Sequence, residues 1–91
     1  MKVNDNFILR NIGDIYFILP ADRTTFMSAE QMLTINETGA YLWNCLQKDR
    51  TLEELASDLQ KYYQIDYETA YEDTKNFLAT LQKLHAVITK W

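Results

Sequence analysis

The sequence predicts an α+β domain, an N-terminal three-stranded antiparallel sheet followed by three helices. Two runs rich in β-formers flank a short glycine-containing turn, and a third short alternating run follows them. From Asn36 onward, apolar residues recur at three- and four-residue spacing behind recognisable helix caps.

The first strand is Phe7-Ile8-Leu9-Arg10-Asn11-Ile12, closed by the turn chemistry of Gly13-Asp14. The second is Ile15-Tyr16-Phe17-Ile18-Leu19, stopped by Pro20. A polar connection from Ala21 to Glu30, with Asp22, Arg23, Thr24, Thr25 and Ser28, leads to a third strand, Gln31-Met32-Leu33-Thr34-Ile35. That strand is expected to pair with the one before it.

Asn36 suits an N-cap and Glu37 the first helical turn. The first helix carries Ala40, Leu42, Trp43, Cys45 and Leu46 and is expected to stop around Lys48-Asp49. Thr51-Leu52-Glu53-Glu54 is a capping box, and Leu52, Leu55, Ala56, Leu59, Tyr62 and Tyr63 mark the amphipathic helix behind it. Gln64-Ile65 connects to Asp66, the cap of a third and longest helix. Its buried stripe is Ala70, Tyr71, Thr74, Phe77, Leu78, Leu81 and Leu84. Val87-Ile88 closes the chain as a short strand or an extended tail. With no repeats and no internal linker, residues 1–91 read as one domain. Three such helices beside a hairpin also suit a winged helix-turn-helix-like arrangement.

An apolar fraction of 47%, with 13% aromatics, is ample for a packed core and argues against disorder. The single cysteine permits no intrachain disulfide, and small secreted domains usually need several, so a cytoplasmic protein is expected. No apolar run approaches a membrane span, and the polar first residues lack the apolar stretch of a signal peptide. Net charge is −4, and the bases are scattered along the chain. Nucleic-acid binding draws on Lys and Arg contacts to phosphates, and no basic stripe is present to supply them.

Catalytic parts are scarce. The one histidine, His85, stands near the end of the last helix, where its positive form suits the helix dipole. Cys45 lies among Leu42, Trp43 and Leu46, company that fits a small buried hydrophobe better than a nucleophile. One Cys and one His far apart are no metal motif. The acids Glu53, Glu54, Asp58, Glu68, Glu72 and Asp73 read as a solvated face, and Gly13 and Gly39 form no phosphate loop. Tyr62, Tyr63, Tyr67 and Tyr71 cluster around the second interhelical turn, as hinge packing or, less simply, as a ligand cage. A non-enzymatic binding module without metal or cofactor is the expectation.

One segment is more specific. Leu33-Thr34-Ile35-Asn36-Glu37-Thr38-Gly39-Ala40-Tyr41-Leu42-Trp43 resembles the signature of the PqqD-like family, a hydrophobic strand running into Asn-x-Thr-Gly and an aromatic helix. Thr51-Leu52-Glu53-Glu54-Leu55 resembles the family's second-helix opening. Asp73 with Phe77-Leu78 and Leu81 resembles its last helix, and Phe7-Ile8-Leu9-Arg10 with its hairpin also matches. The likeness spans roughly residues 7 to 88. Two departures stand out. Ala86 occupies the region after the last helix where the family commonly has Gly, and Arg23 to Glu30 shows no clear family pattern.

The resemblance implies a RiPP recognition element, a domain that binds the leader of a ribosomally made precursor peptide and presents it to a modifying enzyme. Radical S-adenosylmethionine enzymes and lasso-peptide peptidases or cyclases are the partners it implies. It also implies strand addition, in which the edge strand Gln31, Met32, Leu33, Thr34 and Ile35 pairs with the leader. By alternation Leu33 and Ile35 share one face, expected to be that of the helices. Tyr71, Lys75, Leu78 and Gln82, successive neighbours on the third helix, are the expected far wall. The plainer readings are core packing for Tyr71 and Leu78 and a solvated charge for Lys75. Rival functions are a DNA-binding winged helix, a small enzyme using Cys45 or His85, and a purely structural subunit. The acids of the second helix argue against the first.

Overall fold

The computed structural model describes residues 1–21 and 33–88. Strands β1 (Lys2–Val3), β2 (Phe7–Ile12), β3 (Ile15–Pro20) and β4 (Leu33–Ile35) precede helices α1 (Glu37–Cys45), α2 (Leu52–Tyr63) and α3 (Tyr67–Leu84), and β5 (Val87–Ile88) ends the order. The domain is α+β, with a three-stranded antiparallel sheet ordered β2-β3-β4 and three helices. Gln31, Met32 and most of the predicted polar connection fall outside the described residues.

The hairpin forms as its residues require. Ile12 pairs with Ile15 across two residues, and Gly13 takes φ +61°, a positive angle that only glycine adopts freely. In β3, Ile18 is fully buried and pairs with Leu33, while Tyr16 pairs with Ile35. Directly paired residues point to the same face, so Leu33 and Ile35 look toward the helices and Thr34 is exposed on the other side.

Each helix begins on a side-chain cap. Asn36 Oδ1 accepts from Gly39 N at 2.8 Å, and Asp66 accepts from the backbone and hydroxyl of Thr69. Thr51 and Glu54 form the reciprocal box, at 3.1 Å and 2.9 Å. The bonds from Thr69 hold the Asp66 carboxyl below its ordinary range, and the Thr51 backbone N–H does the same for Glu54. Both carboxylates stay charged where the helix N-termini favour a negative group.

The first helix stops at Cys45, short of the expected Lys48-Asp49. Its last turn tightens: Leu46 N–H is shared between the carbonyls of Leu42 and Trp43, and Gln47 N–H reaches only Asn44. Leu42, Trp43 and Leu46 of this region join Leu55, Ala56 and Leu59 of α2 and Ala70, Leu78 and Leu81 of α3 in one core. A small second sheet, absent from the sequence expectation on its β1 side, pairs Lys2 with Ile88 and Val3 with Val87. Val3 N–H also donates to Leu46 and Asn4 N–H to Ala86, tying the start of the chain to the ends of α1 and α3.

The end of α3 is a Schellman closure. Ala86 N–H donates to Leu81 O at 2.9 Å and His85 N–H to Gln82 O at 3.1 Å, with His85 itself left-handed at φ 61°. The left-handed position after the helix is therefore filled by His85, one residue before the Ala86 noted in the sequence. An L side chain costs energy there that glycine avoids. His85→Gly is expected to raise stability by about 0.5–1 kcal/mol after allowing for the extra freedom of glycine in the unfolded chain. Urea unfolding reads this as a higher midpoint at unchanged slope. An unchanged midpoint would mean that His85 makes a compensating contact.

Candidate peptide-binding groove

β4 is bonded to β3 along one edge, and among the described residues no strand pairs with the other. Beside β4 lies an open groove of about 360 Å³. β4 contributes Leu33, Thr34 and Ile35 to its lining, and the start of α1 contributes Asn36, Thr38, Gly39 and Leu42. The far wall is α3, through Asp73, Asn76, Phe77 and Thr80.

Those four α3 positions fall at three- and four-residue steps, so they form one stripe. The stripe proposed from sequence, Tyr71, Lys75, Leu78 and Gln82, does not line the groove. At about 3.6 residues per turn it is centred roughly half a turn away. Leu78 is 5% exposed and belongs to the core, Tyr71 packs against that core and beside Tyr67, and Lys75 and Gln82 are exposed. Of the expected peptide-contacting residues, the structure brings Leu33, Thr34 and Ile35 to the groove; Gln31 and Met32 lie outside the described residues.

Gly39 explains how strand and helix approach so closely. A Cβ at this position would lie 3.0 Å from Cε1 of Phe77, 3.2 Å from Cβ of Ile35 and 3.3 Å from Oδ1 of Asn36. Asn36 and Gly39 of the Asn-x-Thr-Gly segment thus act together. Asn36 caps the helix through the Gly39 amide, and the missing side chain lets α1, β4 and Phe77 meet at the groove floor.

The groove has an apolar floor, from Leu33, Ile35, Leu42 and Phe77, and a polar rim. Among the described residues of the lining, Asp73 is the charged one. Neither Cys45 nor His85 lines the groove: Cys45 packs against the core, and His85 ends α3. The tyrosines divide into two groups. Tyr62 stacks on Tyr41 at 4.4 Å, with Tyr63 edge-on to both, while Tyr67 and Tyr71 are neighbours on α3. Burial first, and then the neighbouring Cys45 side chain, pushes the Tyr41 phenol up to about 12. The first group packs across the α1–α2 face and the second along α3, so the four tyrosines do not form the single hinge cluster expected at the second interhelical turn.

An edge strand facing a helix across an apolar-floored trough offers a sheet edge to which an extended chain can add. The model of the family described as coenzyme PQQ synthesis protein D (PqqD) matches residues 17–87, and the chain belongs to that family. The solved structure described as TbiB1 in complex with the TbiA(beta) leader peptide shares the fold, with a TM-score of 0.73 and 21% identity over 100% of this chain and 99% of that one. No curated protein matches the chain. Among the described residues no helix is long and apolar enough to cross a membrane.

Proposed function

We propose that this protein is a RiPP recognition element, a non-catalytic domain that binds the leader of a ribosomally made precursor peptide by strand addition and presents it to a modifying enzyme. The observation that carries the reading is the edge of β4 bordering the groove under α3, which pairs with no strand among the described residues. Main-chain hydrogen bonds to that edge supply affinity, and the pockets between Ile35, Leu42 and Phe77 supply choice of side chain. Membership of the PqqD family and the peptide-bound state of TbiB1 support the same reading. The enzyme served is a radical S-adenosylmethionine enzyme or a lasso-peptide peptidase or cyclase, and the setting is the cytoplasm, where precursor peptides are made.

A DNA-binding role fares worse on this surface. The exposed side of α2 carries Glu53 and Glu54, and Arg50 beside it is engaged by Asp58 and Glu54. Phosphates would meet carboxylates there.

Titration of the ¹⁵N-labelled protein with the leader of a precursor encoded beside it tests the proposal. Amide shifts are expected to concentrate at Leu33, Thr34 and Ile35 and along Asp73 to Thr80. Saturable binding with shifts confined to α2 or to the β2–β3 turn would overturn strand addition.

A further inference from the structure

We propose that the groove selects a leader segment in which a lysine or arginine stands two residues from a large apolar side chain, the cation at Asp73 and the apolar group over Phe77. The inference rests on the leader-binding reading and names the chemistry that the site recognises.

In a strand added to β4, the residues opposite Leu33 and Ile35 point toward the helices, as those two residues do. They are two positions apart, about 6.8 Å along a strand. Asp73 and Phe77 are four residues apart on α3, about 6 Å along a helix axis. One strand period thus matches the axial step between the two α3 positions. Two successive inward side chains of the guest meet these two groups in turn.

Asp73 is exposed, and it takes part in no salt bridge or side-chain hydrogen bond among the described residues. The other α3 residues of the groove, Asn76, Phe77 and Thr80, are uncharged, and among the described residues no lining residue is a cation. Lys75, the nearest base in sequence, lies roughly half a turn around the helix from the groove stripe. An acidic guest side chain would therefore face an unopposed carboxylate, and a basic one would find its partner. The net charge of −4 favours the same sign at long range.

Ile35, Leu42 and Phe77 converge where Gly39 leaves room, and they offer an apolar seat beside the charged rim. A branched or aromatic guest residue buried there gains the transfer energy that a polar one forgoes.

Short fluorescein-labelled peptides of alternating Thr and Val test the proposal. Each carries Leu and, two residues away, Lys, Ala or Glu, in both chain orders. In at least one order, anisotropy titration of the full chain is expected to give the Lys peptide about threefold tighter binding than Ala and about tenfold tighter than Glu. High salt should compress the difference. Asp73→Asn should level the Lys and Glu peptides, and Asp73→Lys should invert their order. The amides of Leu33, Thr34 and Ile35 report engagement independently of charge. If those amides shift while Lys and Glu peptides bind the wild type equally, the charge rule is overturned and strand addition stands. If no peptide moves them, both fall.

Discussion

Gly39→Val is expected to destabilise the fold by about 3 kcal/mol or more, and Gly39→Ala by about 1 kcal/mol. The two numbers come from opposing effects at one place. Replacing glycine inside a helix ordinarily stabilises it, by up to about 1 kcal/mol for alanine. Here the new carbon sits 3.0 Å from the edge of the Phe77 ring and 3.2 Å from Cβ of Ile35. The ring edge is the far end of a side chain and can turn into the groove. The Ile35 contact is next to the backbone, so β4 itself must move. Alanine thus loses more through overpacking, about 1–3 kcal/mol, than it gains in propensity. Valine adds two further carbons to the same gap. A domain of this size has about 5–15 kcal/mol in total, so the valine variant should show a much lower urea midpoint. The alanine variant should still fold, with a narrowed groove and weakened leader binding. Phe77→Leu in the alanine background removes the ring edge and should recover part of the lost stability. A valine variant as stable as the wild type would show that α1 and β4 do not meet as described.

How much of this was legible in the sequence depends on whether the cause was local. The hairpin was, because Gly13 and the runs around it specify turn and register together; β2 occupies the expected Phe7–Ile12, and β3 runs one residue further, to Pro20. The start of every helix was, because Asn36, Thr51 and Asp66 announce themselves as caps. The end of α1 was not, since the tightening over Leu46 and Gln47 has no capping residue to mark it. Nor was the β1–β5 pair, in which two-residue strands from opposite ends of the chain are too short to show a period. The α3 wall of the groove falls between these cases. Its core stripe was readable from Ala70, Thr74, Leu78 and Leu81, all buried as expected. The stripe has two polar flanks that look alike in sequence, one holding Lys75 and Gln82 and the other Asp73, Asn76 and Thr80. Which flank borders β4 is decided by how α3 packs on α1 and the sheet, a tertiary fact. Gly39 was a possible signal, since a buried glycine in a helix marks close approach, and the ring it makes room for is on the second flank.

Phe77→Ala is expected to weaken leader binding by about 2 kcal/mol, some thirtyfold, while leaving a folded protein. The ring is only half-buried, so its removal costs the core less than the roughly 3–5 kcal/mol of a fully buried phenylalanine. Its exposed part forms the apolar seat of the groove with Ile35 and Leu42, and aromatic groups at the centre of a contact carry a disproportionate share of the affinity. Calorimetry with the leader gives the affinity, and a dispersed amide spectrum with a retained unfolding transition shows that the loss is not unfolding. Phe77→Leu keeps an apolar seat and should retain most of the binding. Lys75→Ala and Gln82→Ala, on the other flank of α3, should stay within about twofold of the wild type, since neither side chain lines the groove. The four variants together decide which side of the helix the guest chain follows. If Lys75→Ala and Gln82→Ala abolish binding while Phe77→Ala leaves it intact, the leader runs along the opposite flank. The trough beside β4 would then not be its seat.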